Sequence, residues 1–137
     1  MSAAPQHIPG VTSRVLLVVS DGAVSQAAID RTAGLAGGSP VTVVGVGADH
    51  LQGTAEPERL RRSVALAMSV LEGAGVMALG HIAVTGSPAR TLARVARARC
   101  ARVVVLDHAG APPSGGLAAE LRRRMYGSGI VVVTART

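Results

Sequence analysis

The stretch from Thr85 to Gly110 constrains the fold most, because it reads as a helix, a strand and a turn in succession. Ser87 is predicted to cap the helix, and Pro88 stands at its first position, where a missing N–H does no harm. Val103–Leu106 is a short apolar run, typical of a strand buried on both faces. The turn begins at Asp107. Ligands of open parallel sheets bind just beyond such strand ends, so this unit also predicts where a site lies.

Apolar runs predicted as strands alternate with helical patterns along the whole chain. The predicted strands are Val15–Val19, Val41–Val46, a weaker edge strand at His81–Val84, Val103–Leu106 and Ile130–Val133. The predicted helices are Ser25–Ala36, a segment with an apolar stripe from Leu60 to Leu71, the helix after Ser87, and a segment from about Gly116 to Tyr126. Strict alternation predicts an α/β fold: one open five-stranded parallel sheet with helices on both faces and right-handed crossovers.

Length and composition indicate one globular domain. A chain of 137 residues can bury a full core, and we predict residues 1–13 as a flexible tail and 14–137 as the domain. No apolar run approaches a membrane span, and the N-terminal residues lack the pattern of a secretory signal. The single Cys100 cannot form an internal disulfide, which fits a cytoplasmic location, and we interpret it as a small buried helix residue.

The positive charge of this chain comes from arginine alone. The formal net charge is +6, and all 14 basic residues are arginines. Arg90, Arg94 and Arg97 share one face of the third helix, and Arg122–Arg124 lie in the last turn of the fourth, where cations suit the helix dipole. We interpret both groups as solvated faces; the alternative is an anionic partner such as nucleic acid, polyphosphate or an acidic protein. Tyr126 is the only aromatic residue, which counts against base stacking, and we predict no specific nucleic-acid binding.

The stretch from Thr85 to Gly110 resembles the universal stress protein family. Members carry a glycine, a small residue and a proline, then a helix, then an apolar strand that runs into a glycine-rich nucleotide loop. Here these are Gly86-Ser87-Pro88 and Arg102–Leu106 running into Asp107–Gly110. RVLLVVSDG resembles the family's first strand and turn, and SGIVVV its last strand. The resemblance covers roughly Arg14 to Thr134, and it implies a Rossmann-like sheet with strand order 3-2-1-4-5.

That strand order implies a nucleotide crevice between the turns after strands 1 and 4. The candidate cofactor-binding residues are Ser20, Asp21, Gly22, Val46, Asp107, His108, Gly110, Gly115 and Gly116. Ser20 falls where the family's aspartate usually stands. Asp21 follows one place later, so it either contacts a ribose or only ends the strand.

The nucleotide loop of this chain departs from the family pattern, Gly-x2-Gly-x9-Gly-Ser/Thr, in which bare backbone and a hydroxyl cradle phosphates. Asp107 takes the first glycine position and Leu117 the hydroxyl position, and the spacing from Gly110 to Gly115 is short. Two like charges at about 4 Å repel by roughly 1 kcal/mol in water and about 4 kcal/mol at a partly shielded site. The sequence therefore predicts weak or no ATP binding and no obligatory cofactor.

No enzymatic constellation is predicted at this crevice. His108 beside Asp107, with Ser20 across the crevice, suggests a Ser–His–Asp triad, but adjacent residues in one turn rarely orient the base correctly. No paired motif supports metal ligation by His108, Asp107 and Asp21. We therefore predict no catalytic residues, no metal ligands and no enzyme, and we interpret His81 as a surface residue of the edge strand.

The resemblance implies a stress-response or regulatory module that forms a homodimer through its last strand. Ile130–Val133 carries neither a charge nor a proline that would protect a free edge. Two alternatives stay open. The first is an adenine-nucleotide binder that takes ATP or AMP through the loops after strands 1 and 4. The second is a basic adaptor for nucleic acid or another anionic partner.

Overall fold

The computed structural model describes residues 13–19, 24–47, 56–107 and 114–135, and in these ranges strands and helices alternate as predicted. The strands are β1 (Val15–Val19), β2 (Val41–Gly47), β3 (Ala78–Val84), β4 (Val103–Asp107) and β5 (Val131–Ala135). The helices are α1 (Gln26–Ala36), α2 (Glu56–Gly73), α3 (Pro88–Ala98) and α4 (Ser114–Met125). Along these ranges, no helix has the length and apolar character needed to cross a membrane.

The sheet has five strands in the order β3-β2-β1-β4-β5, and all four neighbouring pairs are parallel. This confirms the α/β Rossmann-like fold and the strand order 3-2-1-4-5. Val15 of β1 lies opposite Val41 of β2 on one side and Val103 of β4 on the other. Because β1 is central and covered on both faces, every residue of its sequence VLLVV is buried.

Helices cover the sheet in two layers, one on each face. Alternate residues of β1 point to opposite faces: Val15, Leu17 and Val19 pack with α1 and α2, whereas Leu16 and Val18 pack with α3 and α4. The core is aliphatic, in keeping with a chain that has neither Phe nor Trp. Full burial of each such leucine or valine contributes roughly 1.5–3 kcal/mol to folding.

Two glycines let α2 approach the sheet closely. A Cβ atom on Gly45 of β2 would lie 2.7 Å from Cγ2 of Val64, and one on Gly80 of β3 would lie 2.8 Å from Sδ of Met68. Both distances are far below ordinary van der Waals contact. The side chains of α2 therefore occupy the space above these two glycines.

The start of α3 differs from its prediction. Pro88 is the first helical residue as expected, but Ser87 at the cap position makes no side-chain hydrogen bond, so its predicted capping is wrong. Ser87 has φ −132° and ψ 70°, a backbone conformation outside the usual extended cap. Thr85 orders the turn before the helix, since its Oγ1 accepts from the backbone N–H of Ser87 at 3.0 Å and pairs with the Thr91 hydroxyl at 3.2 Å.

Cys100 is exposed, so its interpretation as a buried helix residue is wrong. The backbone N–H of Ala101 donates to the carbonyl of Ala96 at 2.9 Å, and that of Cys100 to the carbonyl of Arg97 at 3.1 Å. This is a Schellman ending, in which the residue after the helix takes a left-handed conformation that usually favours glycine. Cys100 holds that position with φ 55°, and the turn directs it away from the core.

The chain is already packed at Ser13, the last residue of the predicted tail. Ser13 is fully buried, and its backbone N–H donates to the carbonyl of Arg99 at 3.0 Å. Its hydroxyl pairs with Thr42 Oγ1 at 2.7 Å. The rest of the predicted tail lies outside the described residues.

Candidate functional site

The carboxyl ends of β1 and β4 form the point where the sheet reverses its direction of growth. Open α/β sheets bind ligands at such a point, because the loops after the two strands diverge to opposite faces. The candidates in those loops, namely Ser20, Asp21, Gly22, His108 and Gly110, lie outside the described residues. The described border of the crevice consists of the last residue of β4 and the beginning of α1.

Asp107 connects these two elements. It is the last residue of β4, and its Oδ2 accepts a hydrogen bond from the backbone N–H of Ser25 at 2.9 Å. Ser25 is buried and caps α1, since its Oγ accepts from the backbone N–H of Ala28 at 3.1 Å. A carboxylate beside the first turn of a helix is also favoured by the helix dipole. The carboxylate that we expected to face a ligand therefore has an internal role.

Sequence reasoning missed Ser25 as the partner of Asp107. A serine directly before a predicted helix is a signal for a cap. No local pattern links it to a residue 82 positions later in the chain. Only the adjacency of β1 and β4 brings the start of α1 next to the end of β4.

The remaining described candidates lie on different elements. Val46 is the sixth residue of β2, opposite Ala83 of β3, and it is partly buried against the core shared with α3. Gly115 and Gly116 belong to the first turn of α4, which begins two residues earlier than predicted, so they are helical and not part of a loop. The first N–H groups of a helix have no intrahelical acceptor, and the start of a helix is a place where anions bind in proteins.

His81 is exposed on the edge strand β3, as predicted, and is separated from the crevice by β2 and β1. Partial desolvation by its neighbours, and secondly the positive charge of Arg99, lower the pKa of His81 below its ordinary value of 6.5. The imidazole is therefore neutral at physiological pH. Within the described ranges, no three His, Cys, Asp or Glu side chains come together as a group that could hold a metal ion.

Comparison with known proteins places this architecture in one class. No family model matches the sequence, and no curated protein matches it. Among solved structures, the chain is similar to a universal stress protein from Archaeoglobus fulgidus in complex with dAMP, with a TM-score of 0.67 and 17% identity over 92% of this chain and 99% of that one. A universal stress protein in complex with cAMP has a TM-score of 0.63 and 18% identity, over 92% of this chain and 99% of that one. The universal stress protein UspA from Lactobacillus plantarum has a TM-score of 0.54 and 16% identity, over 91% of this chain and 99% of that one.

The fold is therefore that of the universal stress proteins. The resemblance on residues 86–110 and at the first and last strands is confirmed at the level of the fold, over nearly the whole length of these structures.

Proposed function

We propose that this protein is a universal stress protein that acts as a dimeric stress-response or regulatory module, with weak or no ATP binding and no catalytic activity. The fold supports the class. The observation that carries weak nucleotide binding is the position of the Asp107 carboxylate, which is anchored at the border of the crevice by the N–H of Ser25. The proposed location is the cytoplasm, where a free thiol such as that of Cys100 stays reduced.

The anchoring of Asp107 opposes phosphate binding in either of two ways. If the carboxylate stays in place, it repels phosphate oxygens by roughly 1–4 kcal/mol, depending on solvent shielding. If it swings away, the hydrogen bond to Ser25 is lost, and a bond to a charged group is worth about 1.5–3 kcal/mol. Because every 1.4 kcal/mol changes affinity about tenfold, repulsion weakens ATP binding by roughly one to three powers of ten, and loss of the hydrogen bond by roughly one to two.

The proposed dimer forms through β5, an edge strand of the sheet. Val131 on this strand is 56% exposed. Pairing of the strand with its copy about a two-fold axis would satisfy its outward backbone groups and cover this side chain.

A second candidate function is the binding of a nucleoside monophosphate. Two of the similar structures hold dAMP and cAMP, and a monophosphate carries less negative charge toward Asp107 than ATP does. The N-terminal turn of α4 supplies backbone donors for one phosphate group.

Calorimetric titration of the wild type and Asp107→Asn with ATP and AMP, each with and without Mg²⁺, tests the proposal. Asparagine keeps an oxygen that can accept from Ser25 but removes the charge, so we expect about tenfold tighter ATP binding without Mg²⁺. Asp30→Asn is the matched control, because it removes an exposed carboxylate of α1 that accepts from Gln26 and not from Ser25. Low-micromolar ATP binding by the wild type, or an equal gain in both variants, would contradict it.

A further inference from the structure

The two helical layers differ sharply in charge. The layer formed by α3, α4 and the turns around them, residues 86–102 and 114–130, carries a single carboxylate, Glu120. Its eight arginines are Arg90, Arg94, Arg97, Arg99, Arg102, Arg122, Arg123 and Arg124. The opposite layer, residues 24–40 and 56–77, has four arginines and four carboxylates by sequence. The first layer, which we call the arginine layer, therefore has a net charge of +7 against zero on the other face.

The internal contacts of the arginine layer occupy only some of these guanidinium groups. Arg97 donates to the carbonyl of Arg124 at 2.9 Å, and Arg124 pairs with Glu120 at 3.3 Å. Arg90, Arg94 and Arg123 are exposed, and the part of the chain that the structure describes offers them no acceptor. Their positive charges are thus not used to stabilise the fold.

We propose that the arginine layer binds the phosphate backbone of double-stranded nucleic acid without sequence specificity. Arg90, Arg94 and Arg97 line the outer face of α3 over about 10 Å, at 1.5 Å per residue. Measured along the duplex axis, that length covers about three phosphates of one strand, which follow one another at about 3.4 Å of axial rise. Each guanidinium group can bind phosphate oxygens in bidentate fashion, which a lysine cannot.

The composition of this layer favours a duplex over a single strand or a membrane. Single-strand binders stack bases on aromatic rings. Among the described residues of the layer, Tyr126, which is 92% exposed, is the only exposed large hydrophobic side chain. One side chain supplies neither a stacking platform nor the apolar face with which a helix enters a lipid surface.

A recess continues the basic surface beyond the end of α3. It has a volume of about 540 Å³, and its lining includes Arg97, Arg102, Ser128 and Gly129. Arg102 is exposed, and its guanidinium finds no acceptor among the described residues. It therefore extends the row of charges from α3 toward the beginning of β4.

Fluorescence anisotropy with a labelled 20-base-pair DNA duplex, over a range of salt concentrations, tests the proposal. The test variant combines Arg90→Gln, Arg94→Gln and Arg123→Gln. The matched control combines Arg31→Gln, Arg61→Gln and Arg62→Gln on the opposite layer, where all three side chains are exposed. Both variants lose three positive charges. Thermal unfolding serves to check that each variant is folded.

We expect the wild type to bind with a steep salt dependence and no preference between unrelated duplexes. The test variant should lose at least tenfold in affinity at low salt, and its slope of log K against log salt should flatten by up to about 2.7, or about 0.9 for each phosphate contact. The control should bind like the wild type. Equal losses in both variants, a sequence preference at moderate salt, or tighter binding to the single strand or to phosphatidylserine vesicles would overturn the proposal.

Discussion

Single side chains in this protein have properties that the local sequence does not reveal. Asp107 connects β4 to the start of α1 through the N–H of Ser25, and we propose that its charge at that place disfavours phosphate. His81, on the far edge of the sheet, has a lowered pKa because desolvation and Arg99 disfavour its protonated form. Both effects are set by neighbours that are remote in sequence.

Stability should depend on pH through His81. Its folded-state pKa is lowered from 6.5, so the unfolded chain binds the proton more readily than the folded chain does. The stabilising contribution is therefore complete above the unfolded pKa and is lost as the pH falls below about 6.5 toward the lower folded-state value. The loss is small, because the side chain is exposed and solvent screens it.

Urea midpoints measured from pH 7.5 to pH 5 for the wild type and His81→Gln check this expectation. The wild type should lose more stability than His81→Gln over this interval. Arg99→Gln should reduce the difference without abolishing it, since Arg99 is the second of the two causes. Identical pH profiles for the wild type and His81→Gln would rule out the effect.

Secondary-structure elements pack here according to the size of a few side chains. Helix α2 sits against β2 and β3 because Gly45 and Gly80 leave room for Val64 and Met68. The role of these glycines depends on which helix lies above them, and the pattern of a strand sequence does not contain that information.

Gly45→Ala should destabilise the protein by about 1–3 kcal/mol, because the new methyl group overlaps Val64 and also has Ile82 at 3.3 Å. Gly34→Ala is the matched control. Gly34 lies inside α1 with no atom within 4 Å of an added Cβ, so the same change there should stabilise by up to about 1 kcal/mol. Denaturant unfolding of both variants measures the two effects, and a Gly45→Ala variant as stable as the wild type would show that α2 shifts freely.

The sequence predicted every described element but not all of their ends. Hydrophobic periodicity and apolar runs are local features of the sequence. They predicted β1 with its full bounds and α2 from its apolar stripe. Ser87 and Cys100 were misjudged because the ends of a helix depend on backbone angles. These angles accompany hydrogen bonds of the Ser87 N–H with Thr85 and of the Cys100 N–H with Arg97. At the site, the position of Asp107 was predicted, but its partner Ser25 was not, because the contact exists only after the sheet has formed.

At the scale of the whole molecule, the free edge of β5 is better protected than its sequence indicates. The N–H of Val131 donates to the carbonyl of Arg102, just before β4. The backbone groups of the next residue, Val132, therefore point away from β4, to the side of β5 that has no neighbouring strand. There Arg122 of α4 donates to the carbonyl of Val132 at 3.2 Å, and Ser128 Oγ accepts from the N–H of Ile130 at 3.2 Å. The strand segment itself carries no charge, but Arg122 of the neighbouring helix supplies one at its edge.

A dimer through β5 must displace Arg122, so its removal should strengthen the association. We expect Arg122→Ala to tighten the dimer about tenfold, because a hydrogen bond to a charged donor is worth about 1.5 kcal/mol or more. Val132→Pro should weaken the dimer, since proline removes an outward N–H. Arg123→Ala is the control with the same loss of charge but no edge contact, and sedimentation measures all four proteins. Monomers in every case at roughly tens of micromolar would exclude this interface.

The central place of β1 has a consequence for how the chain is made. Its neighbours are β2, which follows soon after it, and β4, whose Val103 pairs with Val15. A ribosome that adds about 5–20 residues per second reaches β4 on the order of 10 s after β1. During that interval one side of β1 has no strand beside it, and the unit of β1, β2 and β3 with α1 and α2 must stay soluble with a bare apolar edge. We therefore expect that nascent chains halted before Val103 bind chaperones, and that chains extended past Asp107 release them.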